Sequence, residues 1–384
     1  MPHTIGFASR MAAFYAAVFI MIGIQLPFLP IWLKAKGLDA QMIGVVLAVP
    51  MVVRVFAIPL ATRAADRRDA LRAAIIAGSC ASVVGYAFVG LAEGAAAILV
   101  TYALASLAFT PVMPLADTYA LRGLSERGRG YGPVRLWGSA AFIVGTFAAG
   151  GATDIMAARA LIWLVAAATL LIALTAFALA PLAAPAAPAP VPRAERRSLL
   201  REPAFIAVLA GASLIQASHA VYYSFSSLQW RAAHLDGTTI AALWAIGVIA
   251  EIAFFAVSGR LPPMLQPTML LVIGGAGAAI RWAAMAFDPP LIVLLLLQML
   301  HALSFGASYL GALWFVARLA PSGQAATAQG HLATASGAVM AAAIGLSGLL
   351  YAALGVQAYA AMALMAIVGG ACAAIAHRSR DAVG

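Results

Sequence analysis

Five ionisable side chains stand inside long apolar runs: Arg54, Asp117, Arg135, Glu251 and Arg281. An arginine among apolar side chains attracts anions. A carboxylate in the same setting can hold or release a proton. At the centre of a lipid-spanning helix each such group costs about 2.5–3.5 kcal/mol, or roughly 12–17 kcal/mol for five left unpaired. That exceeds the stability margin of an ordinary domain. The five must therefore face one another, a wet cavity or a ligand.

Asp117 and Arg135 flank the segment "LRGLSERGRGYG", each nine positions from Glu126. They should sit at similar depth on adjoining helices, a geometry that permits a salt bridge; the alternative is a pair that only fixes the hairpin at the headgroups. Glu251 stands in "IGVIAEIAFFAV" with no charged neighbour in sequence. It either keeps a proton, because desolvation disfavours its charge, or meets an arginine from another helix. Arg281, in "GAAIRWAAMAF", is six residues from a loop and can snorkel outward or face a ligand beside Trp282. Arg54 suits support of an inner gate as well as substrate contact.

Two polar stripes accompany these charges. Gln298, His301, Ser304 and Ser308 follow at spacings of 3, 3 and 4, on one helical face. Gln216, His219, Tyr223, Ser226 and Trp230 repeat the pattern in another run. Amide, imidazole and aromatic groups on one face suit an organic ligand; plain hydrogen bonding between helices is the alternative.

The elements that carry these residues are long and apolar. Of 384 residues, 64% are hydrophobic and 9% charged, and the mean hydropathy is +0.98. A soluble domain is about one-quarter charged. The apolar residues fall into twelve runs near 11–33, 41–63, 72–92, 95–119, 133–152, 158–181, 204–228, 238–258, 266–287, 290–317, 325–352 and 357–377. Each is long enough to cross a membrane as a helix, and the short alternating segments of a β-barrel are missing. The expectation is an all-α membrane protein. The Pro/Ala-rich, then basic, stretch 182–203 reads as a cytoplasmic linker between bundles 1–181 and 204–384. The first run is too long for a signal peptide and reads as a retained helix.

The charge of +10 does not point to nucleic acid, because the basic residues sit in short loops. With the N-terminus cytoplasmic, 16 of the 23 lie on the inner side, 4 on the outer side and 3 within runs. That bias orients the chain with both termini inside. Cys80 and Cys372 fall within apolar runs and read as small core residues, so no metal or other cofactor is expected. No H-E-x-x-H or G-x-S-x-G motif supports an enzyme.

The halves repeat. "WLKAKGLDAQMIGVVLAVPMVVRVFAIPLATR" aligns with "QWRAAHLDGTTIAALWAIGVIAEIAFFAVSGR" at a constant offset of 197, pairing Leu38–Asp39 with Leu235–Asp236 and Arg54 with Glu251. A parallel repeat of six helices is a transporter plan, with the binding site between the halves.

The segments "YGPVRLWGSAAF", "ASHAVYYSF", "LWAIGVIAEI", "AIRWAAMA" and "LQMLHALSFG", in this order and spacing, resemble the phenylpropionate/cinnamate permease group of the major facilitator superfamily, relatives of lactose permease-like proton symporters. The loop "PLATRAADRRDALR" occupies the superfamily's signature position, keeping Asp66, Arg67, Arg68 and Arg72 but not its glycines. The resemblance implies that Asp117 and Arg135 match the sugar-binding carboxylate and arginine of lactose permease. Glu251, Arg281 and His301 match its eighth-helix glutamate, ninth-helix arginine and tenth-helix histidine. Where that symporter carries its proton on a glutamate, this chain has Ser304, so the proton would move to Glu251 or Asp117, or coupling would be absent.

Three internal arginines against two carboxylates leave one positive charge, which favours a monocarboxylate. The expected function is import of a small organic acid with a proton by alternating access, by a monomer in a bacterial inner membrane. Gln216, His219, Tyr223, Gln298 and His301 would line the substrate site with Asp117, Arg135 and Arg281. A sugar or nucleoside symporter is the second expectation and a drug exporter the third.

Overall fold

The computed structural model describes residues 6–182, 199–262, 265–320 and 324–381. The linker arginines Arg193, Arg196 and Arg197 lie outside the described residues. Among the described residues the chain is helical, with no strand.

Among the described residues eleven segments are long and apolar enough to span a membrane. They contain α1 (Phe7–Ala35), α2 (Ala40–Arg67), α3 (Leu71–Leu91), α4 (Ala95–Phe109), α5 (Val112–Ser125), α6 (Tyr131–Ile155), α7 (Ile162–Phe177), α8 (Pro203–Ala217), α9 (Ala220–Ala232), α10 (Gly237–Ser258), α11 (Pro267–Met285), α12 (Leu291–Met299), α13 (Ser308–Leu319), α14 (Ala325–Leu354) and α15 (Ala358–Asp381). Four segments combine two helices. Pro111 lacks the N–H that would continue α4 into α5. A turn at Ser218 separates α8 from α9. A π-helix at Ala302–Ala307 links α12 to α13. A 3-10 turn at Gly355–Gln357 divides the last segment, Thr327–Arg378, into α14 and α15.

The sequence repeat has a physical basis in helix ends. α1 stops at a left-handed residue, Gly37 (φ 88°), and the turn into α10 uses His234 (φ 63°) at the matching position. Leu38 N–H then bonds the Leu33 carbonyl, and Leu235 N–H bonds that of Trp230. Asp39 caps α2 by accepting from Met42 N–H at 2.8 Å, and Asp236 caps α10 by accepting from Thr239 N–H at 2.6 Å. A left-handed stop followed by an acidic N-cap turns the chain back through the bundle twice.

The chain divides into two compact units, one of Met1–Ala187 with Ser226–Ala242, the other of Pro188–Phe225 with Leu243–Gly384. The first unit thus takes the α9–α10 turn, which the sequence assigns to the second bundle. Within it α1 lies along α6. A Cβ at Gly145 would run into the Ile20 carbonyl, so glycine sets that spacing. Lys36 pairs with exposed Glu93 at the α3–α4 turn, and that hydrogen bond holds the carboxyl below its ordinary range. In the second unit α11 packs on α13 and α15, and α8 on α14 and α15.

Candidate functional site

Polar clusters interrupt the apolar interior of each unit; the first unit also holds Gln25 between the Tyr86 and Tyr102 hydroxyls. In the second unit the centre is Arg281, which is fully buried. It does not snorkel. Its Nη2 donates to Gln298 Oε1 at 2.6 Å, and its Nη1 lies 3.1 Å from His301 Nδ1 and 3.3 Å from Ser304 Oγ. The guanidinium also lies over the rings of Tyr222 (4.6 Å) and Trp282 (4.5 Å). Cation–π contact in a desolvated site contributes about 2 kcal/mol. Glu251 meets a histidine: His301 Nε2 lies 3.3 Å from Glu251 Oε2, with the two side chains 10% and 22% exposed.

Gln298, His301, Ser304 and Ser308 of one stripe meet Gln216, His219 and Tyr223 of the other here; Ser226 and Trp230 belong to the first unit. His219 is buried, with Nδ1 3.0 Å from the Gln216 carbonyl and Nε2 3.2 Å from Ser304 Oγ. Gln216 Nε2 donates to Ser308 Oγ at 2.8 Å. Tyr223 stacks on His219 at 5.5 Å. The π-helix begins directly after His301. Its wider turn keeps Ser304 and Ser308 on the buried side with Gln298. Arg281, His219, Gln298, Ser304 and Ser308 are buried, while Gln216, Tyr223 and Glu251 are half-buried. Most of the buried groups have partners within the cluster, whereas Arg281 Nε has none among the described residues.

In the first unit the expected Asp117–Arg135 salt bridge does not form; among the described residues the two make no ion pair. Tyr15 and Tyr131 take its place, each donating a phenol hydrogen bond to Asp117 Oδ1, at 2.7 and 2.8 Å. Two charge-assisted bonds compete well with an ion pair that would need to order a long side chain. Arg135 instead lays its guanidinium over Phe19 (4.1 Å) and Tyr15 (5.5 Å). No hydrogen-bond acceptor faces it among the described residues, and the residue is half-buried. Acid and cation thus sit at the hydroxyl tip and over the face of one tyrosine.

The remaining candidates stay apart. Arg54 is exposed on α2 and reaches Met51 Sδ at 3.7 Å. Asp66, Arg67 and Arg68 are exposed at the C-terminal end of α2. The next residue with a partner is Asp69, paired with Arg122 at 3.1 Å. Sequence reasoning missed Tyr15, Tyr131 and Tyr222. Tyr131 lies within the segment that carries Arg135, and the adjacent pair Tyr222–Tyr223 flags a two-sided aromatic turn. Tyr15 gives no such signal, since it contacts the site only through the fold. No group of three or more His, Cys, Asp or Glu among the described residues could hold a metal ion.

The family model described as "MFS_1 like family" matches residues 8–361. A probable 3-phenylpropionic acid transporter of Escherichia coli (strain K12) is 30% identical over 363 residues, covering 92% of this chain and 93% of the relative. The maltose permease of Geobacillus stearothermophilus is 30% identical over 325 residues, covering 82% and 80%. Among solved structures, the nucleoside transporter NupG superposes with a TM-score of 0.80 at 15% identity, over 97% of this chain and 99% of that one. A bacterial homolog to the human lysosomal transporter Spinster, in an inward-facing and unoccupied conformation, gives 0.76 at 15% identity, over 97% and 96%.

Proposed function

Because the chain belongs to the MFS_1 like family of multi-pass membrane transporters, we propose that it is a secondary carrier that imports a small organic acid with a proton by alternating access. The substrate class is an aromatic monocarboxylate such as phenylpropionate. Twelve spans, both termini on the cytoplasmic side and a bacterial inner membrane complete the reading.

One observation carries it. Arg135 offers a guanidinium supported on two aromatic rings, with no acceptor opposite it among the described residues. A carboxylate completes its hydrogen bonding, and a ring attached to that carboxylate extends the aromatic surface. Asp117 is already engaged by two phenols, so it does not quench the cation. The 30% identity to a probable 3-phenylpropionic acid transporter agrees with this chemistry. Glu251 is the proton carrier: it is the internal carboxylate bonded by a histidine, and it keeps partial access to solvent.

A neutral sugar symporter is the second reading, favoured by equal identity to a maltose permease. Uptake of labelled phenylpropionate into proteoliposomes decides between them. It should rise with an inward proton gradient, collapse with a protonophore and resist competition by maltose. Glu251→Gln should abolish accumulation yet leave exchange between labelled pools. Uptake indifferent to the protonophore contradicts symport, and strong competition by maltose favours the sugar.

A further inference from the structure

The hydrogen bonds around Arg281 fix the position of a proton. A guanidinium carries only donors. Since Arg281 Nη1 lies 3.1 Å from His301 Nδ1, that ring nitrogen accepts and bears no hydrogen. The single proton of the neutral imidazole is therefore on Nε2, which faces Glu251 Oε2 at 3.3 Å. His219 is set in the opposite sense. Its Nδ1 faces a backbone carbonyl, an acceptor only, so Nδ1 holds the hydrogen and Nε2 accepts from Ser304 Oγ. Two histidines with rings 5.6 Å apart are thus locked in different tautomers.

We infer that Arg281 is a positioning residue: it holds His301 as the neutral Nε2–H imidazole and keeps the coupling proton on Glu251. This rests on the reading of Glu251 as proton carrier. A proton added at His301 Nδ1 would set an N–H against the guanidinium N–H. It would also place two cations in a buried site. The groups facing His301 are Arg281 from α11, Glu251 and Gly247 from α10, and His219 ahead of α9; Phe305 of its own segment stacks on the ring at 5.2 Å. Glu251 is the one acid in this set, and it receives the Nε2–H. The remaining ring nitrogen has no acid to stabilise a second proton.

The first step of the test reads the native ring nitrogens directly. In the full chain in nanodiscs, with nitrogen-15 histidine, His301 should show one protonated nitrogen, Nε2, from about pH 5 to 8. His301→Gln assigns the signal. An Nδ1–H tautomer, or a doubly protonated ring within that range, overturns the inference. Arg281→Gln should then let one imidazole take up a second proton as the pH falls, and adding His301→Gln should remove that titration. Arg281→Lys, again donor-only, should keep His301 neutral. A merely structural arginine would produce no histidine-dependent ionisation. A folded Arg281→Gln protein with no new titration overturns the inference. If instead Glu251→Gln leaves proton-driven uptake intact, the transport reading fails while the tautomer result stands apart from it.

Discussion

Asp154, in the last turn of α6, caps a helix that starts 83 residues later: its Oδ1 accepts the Gly237 N–H at 2.7 Å. The same carboxylate takes Thr238 N–H at 3.3 Å and Arg231 Nη1 at 3.1 Å. Arg231 Nη2 also reaches the Thr153 carbonyl. The first N–H groups of α10 are therefore satisfied jointly by Asp154 and its own Asp236. Beneath this joint, Cβ atoms at Gly150 or Gly237 would collide with each other's backbone carbonyl. This is why Ser226–Ala242 packs with the first unit. Asp154→Ala should lower unfolding stability by about 1–3 kcal/mol, the loss expected for a charged cap with several bonds. Asp154→Asn should lose less, since it still accepts from Gly237. Gly237→Ala should lose at least as much as Asp154→Ala. Denaturant titration in detergent measures all three, and an unchanged Asp154→Ala midpoint would contradict the role.

His234 holds a left-handed conformation (φ 63°) where the first half of the repeat has Gly37. Its side chain is exposed, so replacing it removes no packing. His234→Gly should therefore raise stability by about 0.5–1 kcal/mol, offset in part by the freer unfolded glycine. The control is Gly37→Ala, which should lower it. If both substitutions shift the midpoint the same way, backbone strain is not the determinant.

Much of this arrangement was legible in the residues. Apolar runs marked the helices, and the spacing of Gln298, His301, Ser304 and Ser308 marked one polar face even across a π-turn, though not the partners that bury it. The repeat at Leu38–Asp39 was visible as identity, though its cause, a left-handed stop and an N-cap, needed backbone angles. Partner choice was not legible. Asp117 lies eighteen positions from Arg135, and equal depth made them look paired. The outcome turned on Tyr15, 102 residues from Asp117, whose hydroxyl arrives only through helix packing.

Arg72 reads in sequence as one more basic loop residue, yet it grips the end of α7. Its Nε donates to the Leu179 carbonyl at 2.7 Å and its Nη2 to that of Phe177 at 3.1 Å. Arg10 takes the Ala178 carbonyl, and the Tyr119 hydroxyl takes that of Ala180. The carbonyls from Phe177, the last residue of α7, to Ala180 just beyond it, near the negative end of the helix dipole, are thus met by two cations and a phenol. Arg72→Ala should cost about 1–2 kcal/mol. Arg72→Lys, with no fork to span two carbonyls, should recover only part. Hydrogen exchange localises the effect: protection should fall at the α7 end and not in α11. Uniform loss of protection would argue against a local cap.

The tyrosine pair on Asp117 gives the sharpest test of the first-unit cluster. Both phenols donate to the same oxygen, so either one alone still holds the carboxylate. Tyr15→Phe or Tyr131→Phe should each raise the KM for an aromatic acid by no more than about threefold, the scale of one modest hydrogen bond. The double substitution should do much more. With neither donor present, Asp117 is free to turn to Arg135, and the cation that would receive the substrate is quenched. The combined rise in KM should exceed the product of the single effects by about tenfold, a coupling of roughly 1.4 kcal/mol. Adding Asp117→Asn to the double variant should restore much of the affinity, because the quenching charge is gone. Loss of affinity that persists in the triple variant would mean that the phenols contact the substrate themselves.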